Sequence, residues 1–148
     1  MIDPTVEILL VEDNPTDAEL ALRALRRHKV STRIGVMRDG AEAIEYLFGD
    51  GQNRGPGMSA LPRVVLLDLK LPKVDGLEIL RRIKETPATR KVPVVVLTSS
   101  REDCDLEEAY RLGVNSYIVK PIEFERFAAV VRDLGLYWLR MNETPSSI

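Results

Sequence analysis

Five polar side chains that could take part in chemistry come directly after apolar stretches of the sequence. They are Glu12, Asp13, Asp68, Thr98 and Lys120. The apolar run 64–67, which Asp68 ends, is typical of a strand buried on both faces. Three carboxylates that meet at one place repel one another unless a cation neutralises them. Carboxylate oxygens with open water positions describe a Mg²⁺ site better than a Ca²⁺ or zinc site.

These residue types together indicate phosphoryl chemistry. A divalent ion can hold a phosphoryl group while a carboxylate such as Asp68 attacks the phosphorus and becomes an aspartyl phosphate. Lys120 would supply a second positive charge to the phosphoryl oxygens, and the hydroxyl of Thr98 would supply a neutral donor. Each residue alone has an ordinary structural explanation, so the prediction depends on all of them following successive strands.

The elements that must position these residues alternate between strand and helix patterns. Predicted strands lie near 6–11, 32–37, 64–67, 92–97 and 114–119, with 32–37 as a half-exposed edge strand. Five alternations predict an α/β fold, with a parallel sheet and helices on both of its faces. Ligands bind such sheets beyond the carboxyl ends of the strands, which is where the five polar residues fall.

Local signals place the helices. Asn14 followed by Pro15 predicts a capped helix start, and residues 39–42 and 75–78 resemble capping boxes. Gly113 is expected to stop the fourth helix, and the stretch 49–62 is expected to be a long loop. A final helix should run from near Glu123 to Met141. Its predicted core stripe comprises Phe124, Phe127, Ala128, Val131 and Leu134.

The composition fits a single domain. The chain has 148 residues, of which 45% are hydrophobic and 30% charged, and its net charge is -2. We expect one domain over 1–148, with a core over about 5–135 and a helix extension and tail over 136–148. Dispersed charge argues against a nucleic-acid or membrane partner. The chain does not start like a secretory signal, which predicts a cytoplasmic protein. It has a single cysteine, which excludes an internal disulfide and fits the same compartment.

The sequence resembles the receiver domain of two-component response regulators. The likeness covers nearly the whole chain and rests on the stretches 11–14, 67–72, 75–76, 96–98 and 120–121. It implies a flavodoxin-like, doubly wound sheet of five parallel strands in the order 2-1-3-4-5. It also implies a phosphoacceptor switch rather than an enzyme, one that catalyses only its own Mg²⁺-dependent phosphorylation and dephosphorylation.

The resemblance assigns roles to individual residues. Asp68 would be the phosphoacceptor and Asp13 the main Mg²⁺ ligand, with Glu12 acting through water and the backbone carbonyl of Lys70 completing the site. Thr98 and Lys120 would sense the phosphoryl group, and Tyr117 would be the aromatic residue that switches. The likeness also implies a cis Lys120–Pro121 bond. Lys70 and Ser100 stand where the family tunes phosphoryl lifetime, and neither would orient a water, so we expect slow self-dephosphorylation.

The expected output is a changed protein surface. We expect no separate output domain after the receiver, and the last helix carries more apolar residues than one core needs. The surplus residues are Val130, Tyr137, Trp138 and Met141. They predict a homodimer or partner contact, with folding back onto the domain as the alternative. Within the family the chain most resembles stand-alone receivers paired with bacterial phytochrome-type histidine kinases, which implies such a kinase as partner.

Three rival functions would each require residues other than those in this sequence. A binding module that ignores phosphorylation would lack Asp68, Asp13 or Lys120, and none is missing. An aspartyl phosphatase would need a second acid two residues after the nucleophile, where Lys70 stands. A flavin carrier would need hydroxyl and glycine residues in the first loop instead of two acids.

Overall fold

The structure is a computed structural model that describes residues 6–30, 33–49 and 61–143. Five parallel strands form one sheet with the order β2-β1-β3-β4-β5. The strands are β1 (Ile8–Val11), β2 (Ile34–Met37), β3 (Val64–Leu67), β4 (Val94–Thr98) and β5 (Ser116–Val119). The predicted fold class and strand order are confirmed.

Helices connect the strands and cover both faces of the sheet. They are α1 (Pro15–Arg27), α2 (Gly40–Phe48), α3 (Gly76–Glu85), α4 (Asp103–Leu112) and α5 (Phe124–Leu136), and a π-helical turn (Tyr137–Met141) follows α5. No helix in these described segments is long and apolar enough to cross a membrane.

Alternation along the buried strands divides the core into two layers. In β1, Leu9 and Val11 pack against one layer, while Ile8 and Leu10 pack against the other. The first layer includes buried residues of α2, α3 and α4, and the second includes buried residues of α1 and α5. Every residue of β3 is buried, as predicted, and so is every residue of β4, whereas the residues of the edge strand β2 are half-buried.

The helix starts agree only in part with the predicted caps. The side chain of Asn14 accepts a hydrogen bond from the amide of Asp17, so the predicted cap of α1 is confirmed. Asp39 likewise caps α2. Asp75 makes no side-chain cap bond, so the capping box predicted at α3 is wrong. The amide of Glu78 donates to the backbone carbonyl of Asp75 instead of to its side chain, and the Glu78 carboxylate binds the guanidinium of Arg81 rather than the Asp75 amide.

The C-terminal helix differs from its predicted pattern at both ends. Phe127 and Val131 are buried as expected, but Phe124 is 64% exposed. Phe124 is the first residue of α5, so it lies beyond the edge of the core, and its predicted core position is wrong. The π-helical turn buries Leu139 at the far end. Of the predicted loop, residues 50–60 lie outside the described residues.

Candidate phosphoryl site

The backbone brings the carboxyl ends of four strands together at one end of the sheet. Val11 pairs with Leu67 in the parallel register of β1 and β3, so the residues that follow these two strands are neighbours. The amide of Asp68 donates to the carbonyl of Val11 at 3.1 Å. The amide of Lys120 donates to the carbonyl of Thr98 at 2.7 Å, which joins the ends of β4 and β5. The residues that follow β1, β3, β4 and β5 therefore meet at the carboxyl ends of the strands, as the sequence predicts.

Lys120 lies at the centre of the site. Its ammonium nitrogen is 2.8 Å from Glu12 Oε1, 2.8 Å from Asp17 Oδ2 and 3.2 Å from Asp68 Oδ2. Only 9% of the Lys120 side chain is exposed. An ammonium group has three N–H donors, so each donor has one carboxylate partner. The sequence did not point to Asp17, because an acid in the first turn of a helix is ordinarily explained by the helix dipole.

Burial and neighbouring charges shift the acidity of two groups. Burial raises the pKa of Glu12 to about 7, and nearby Asp68 adds to this effect. The hydrogen bond from Lys120 opposes that increase in the pKa without cancelling it. Burial alone would lower the pKa of Lys120, but its hydrogen bonds to Asp17 and Glu12 raise it above its ordinary value. Lys120 is therefore a fixed positive charge in a site rich in carboxylates.

The predicted metal ligands form a donor set that fits a hard divalent cation. Carboxylate oxygens of Glu12, Asp13 and Asp68 all lie within 4.8 Å of one another. Glu12 and Asp68 are buried, while Asp13 is exposed. The amide of Lys70 donates to Asp68 Oδ1 at 3.3 Å, so the loop after β3 folds around the carboxylate. Clustered oxygen ligands with one side open to solvent suit Mg²⁺ and ions like it.

A second hydrogen-bond network lies beside Thr98. The Thr98 side chain is fully buried, and its hydroxyl oxygen accepts a hydrogen bond from the amide of Ser100 at 3.3 Å. The hydroxyl of Tyr117 donates to the carbonyl of Ser100 at 3.2 Å. Ser100 Oγ lies 2.5 Å from Asp105 Oδ2, and the Lys70 ammonium is 3.2 Å from the same oxygen. Thr98 and Tyr117 are thus connected through one residue, Ser100.

The predicted isomer of the Lys120–Pro121 bond is wrong, because the structure has no cis peptide bond among its described residues. A prolyl bond prefers trans by only about 0.5–1 kcal/mol. Sequence alone therefore gives no physical basis for choosing between the isomers at this position.

The apolar residues predicted to form a partner surface lie together near the end of α5. Tyr137 and Met141 are 46% and 70% exposed, while Val130 and Trp138 are half-buried. The Tyr137 and Trp138 rings meet edge to face, with their centroids 5.0 Å apart. Val130, Tyr137 and Trp138 line an open groove together with residues of β5.

Comparison with known proteins agrees with this geometry. The family model of the response regulator receiver domain matches residues 8–132. A probable methanogenesis regulatory protein, FilR2 of Methanothrix harundinacea, is 49% identical over 97% of this chain and 89% of its own length.

Two solved structures are similar over nearly the whole chain. The phosphorylated cyanobacterial phytochrome response regulator RcpA has a TM-score of 0.84 and 38% identity, covering 94% of this chain and 97% of its own. The Mn²⁺-bound response regulator Rcp1 has a TM-score of 0.81 and 35% identity, covering 93% and 97%. The response regulator Rcp1 of Synechocystis sp. is also similar to this chain in sequence.

A doubly wound parallel sheet with clustered acids and a lysine at the carboxyl ends of its strands is a receiver-type signalling protein. The chain belongs to the response regulator receiver family. Phosphorylation-dependent signalling is the standard function of that family, and relatives that are phytochrome response regulators share this fold.

Proposed function

We propose that Asp68 accepts a phosphoryl group from a sensor histidine kinase and that the protein signals through changed contacts with other proteins. The observation that carries this proposal is the position of the Lys120 ammonium, 3.2 Å from Asp68 Oδ2. A cation beside one oxygen of a buried carboxylate is suited to stabilise the negative charge that phosphoryl transfer concentrates there. The carboxylates of Glu12 and Asp13 lie around the same group.

In the proposed reaction, an Asp68 oxygen forms a bond to phosphorus as the bond from phosphorus to the donor imidazole nitrogen breaks. The nitrogen keeps the electron pair of the broken bond and takes up a proton from water. Glu12, Asp13, Asp68 and the backbone carbonyl of Lys70 would hold Mg²⁺, which supplies positive charge to the phosphoryl oxygens when bound. The Mn²⁺-bound form of Rcp1 supports a divalent ion at this site. The protein's only chemistry would be gain and loss of its own phosphoryl group.

The switch would run from Thr98 to Tyr117. The Thr98 hydroxyl would donate to the phosphoryl group, and this requires it to move toward Asp68. Because that hydroxyl now accepts from the Ser100 amide, its movement would disturb the Ser100 backbone. The Tyr117 hydroxyl is bound to the carbonyl of the same residue, so the tyrosine ring would be released to take a second position.

The partners follow from the family and from the exposed apolar surface. The kinase would be of the phytochrome type, since RcpA is a phytochrome response regulator. Residues 1–148 would act as a single receiver domain in the cytoplasm, where kinases have ATP. Val130, Tyr137, Trp138 and Met141 would form a homodimer contact, because Tyr137 and Met141 are exposed beside half-buried Val130 and Trp138, and aromatic and methionine side chains favour protein interfaces.

Intact mass after incubation with Mg²⁺ and acetyl phosphate tests the phosphoacceptor. The parent protein should gain one phosphoryl group, and the gain should disappear with a chelator or with Asp68→Asn. An unmodified parent protein would instead favour a binding module that ignores phosphorylation.

Light scattering after gel filtration tests the dimer separately. The parent protein should elute as a dimer, and the double variant Tyr137→Ser, Met141→Ser should elute as a monomer. A monomeric parent protein, both with and without the phosphoryl group, would remove the dimer and leave the chemistry of Asp68 intact.

A further inference from the structure

We propose that Asp17 is a positioning residue for phosphoryl transfer, because it holds the Lys120 ammonium in the direction of Asp68. This inference rests on the proposed function. Asp17 Oδ2 is 2.8 Å from the Lys120 nitrogen, which is closer than Asp68 Oδ2 at 3.2 Å. Asp17 belongs to α1 and Lys120 follows β5, so this contact joins two distant parts of the chain.

The geometry of the ammonium group gives this contact its function. Two of its N–H donors are directed to Glu12 and Asp17, and these two contacts fix the direction of the third donor, toward Asp68 Oδ2. The same donor would meet an oxygen of the phosphoryl group on Asp68. A lysine side chain has a flexible four-carbon stem, so an ammonium with one anchor instead of two would spread over many orientations. Asp17 therefore pre-organises Lys120 for the transfer step.

The capping of α1 does not account for this carboxylate. Asn14 provides the cap, and it does so by accepting from the backbone amide of Asp17. The Asp17 side chain remains free for Lys120 and is only 25% exposed. Glu19 is a matched comparison, because it lies in the same helix, is 58% exposed and pairs with Arg23 instead.

The experiment measures phosphorylation by acetyl phosphate as a function of Mg²⁺ concentration for Asp17→Ala, Asp17→Asn, Asp17→Glu and Glu19→Ala. Asp17→Ala should lower the maximal rate about tenfold, which corresponds to about 1.4 kcal/mol in the barrier. The Mg²⁺ concentration for half-maximal rate should change less than about threefold, because a positioning residue acts on the transfer step rather than on metal binding. Asp17→Glu should restore most of the rate, and Glu19→Ala should match the parent protein.

Two results would overturn the inference. The maximal rate of Asp17→Ala, reached at saturating Mg²⁺, could equal that of Glu19→Ala, and any loss of rate at low Mg²⁺ would then be a charge effect on the metal alone. A rate for Asp17→Glu as low as that for Asp17→Ala would also contradict it. If circular dichroism shows that Asp17→Ala is unfolded, Asp17→Asn replaces it, with a smaller loss of at least threefold expected. A parent protein that takes no phosphoryl group would overturn the proposed function itself, and this inference with it.

Discussion

Replacing Lys120 by methionine should destabilise the protein strongly, because it removes a cation that faces three carboxylates. Lys120 is 9% exposed in its side chain, and its partners Glu12 and Asp68 are 4% and 8% exposed. Methionine keeps the apolar length of the stem, so the change is mainly one of charge. Removing one partner of a buried ion pair costs about 3–5 kcal/mol. That is a large share of the unfolding free energy of a typical domain, about 5–15 kcal/mol.

Urea unfolding monitored by circular dichroism measures this cost, first with a chelator and then with excess Mg²⁺. We expect a loss of about 3–5 kcal/mol with the chelator. The loss should shrink by about 1–2 kcal/mol with Mg²⁺, since without the ammonium the carboxylates bind a cation more tightly and bound ligand stabilises the fold. Lys73→Met is the control, because Lys73 pairs with Asp39 at the surface and is 66% exposed. Such an exposed pair contributes about 0–1 kcal/mol.

The reasoning would be refuted if Lys120→Met and Lys73→Met had the same unfolding free energy with the chelator. That result would mean that the carboxylates near Lys120 are stabilised by something other than its ammonium group. A loss that grows with added Mg²⁺ would contradict the metal site instead.

Three further predictions concern the surroundings of the site. Gly76→Ala should cost about 1–3 kcal/mol in urea unfolding and should slow phosphorylation, since the added Cβ would lie 2.3 Å from the backbone oxygen of Asp68. A variant as stable as the parent protein would show that this backbone yields easily. Asp105→Asn should cost about 1–2 kcal/mol near neutral pH, because the hydrogen bond from Ser100 holds the pKa of Asp105 below its ordinary value of 3.8. Since this pKa is lower in the folded state, the cost should be constant above about pH 5 and disappear as the pH falls through the folded pKa; a cost that persists at low pH would contradict this. Lys84→Met should cost about 1–3 kcal/mol, because the Lys84 ammonium donates to two backbone carbonyls and one side-chain amide oxygen. Unchanged urea unfolding would show that water replaces these bonds.

Much of the site could be predicted because the fold constrains it. In a parallel sheet the carboxyl ends of all strands share one edge, so residues that follow apolar runs must meet there. This rule predicts from sequence alone that Asp68, Thr98 and Lys120 lie near one another. Their distances could not be predicted, because they depend on strand register and side-chain direction.

Three features could not be predicted from sequence, each for a different physical reason. Asp17 has no local signal that separates it from other acids at helix starts, and its partner Lys120 lies 103 residues further along the chain. Asp75 has the residue type of a cap, yet the Glu78 amide donates to the Asp75 backbone carbonyl, and the sequence does not distinguish this acceptor from the side chain. Phe124 fits the helical period of a core stripe, but the period says nothing about where the core ends.

The central claim is that the acids and the lysine at this edge make Asp68 the group that carries the phosphate. The most direct measurement is peptide mapping by mass spectrometry after Mg²⁺-dependent phosphorylation and trapping of the acyl phosphate with borohydride. We predict a single modified position, Asp68, and no modification when Mg²⁺ is withheld. Modification at Glu12 or Asp13, or at any residue outside this site, would contradict the account.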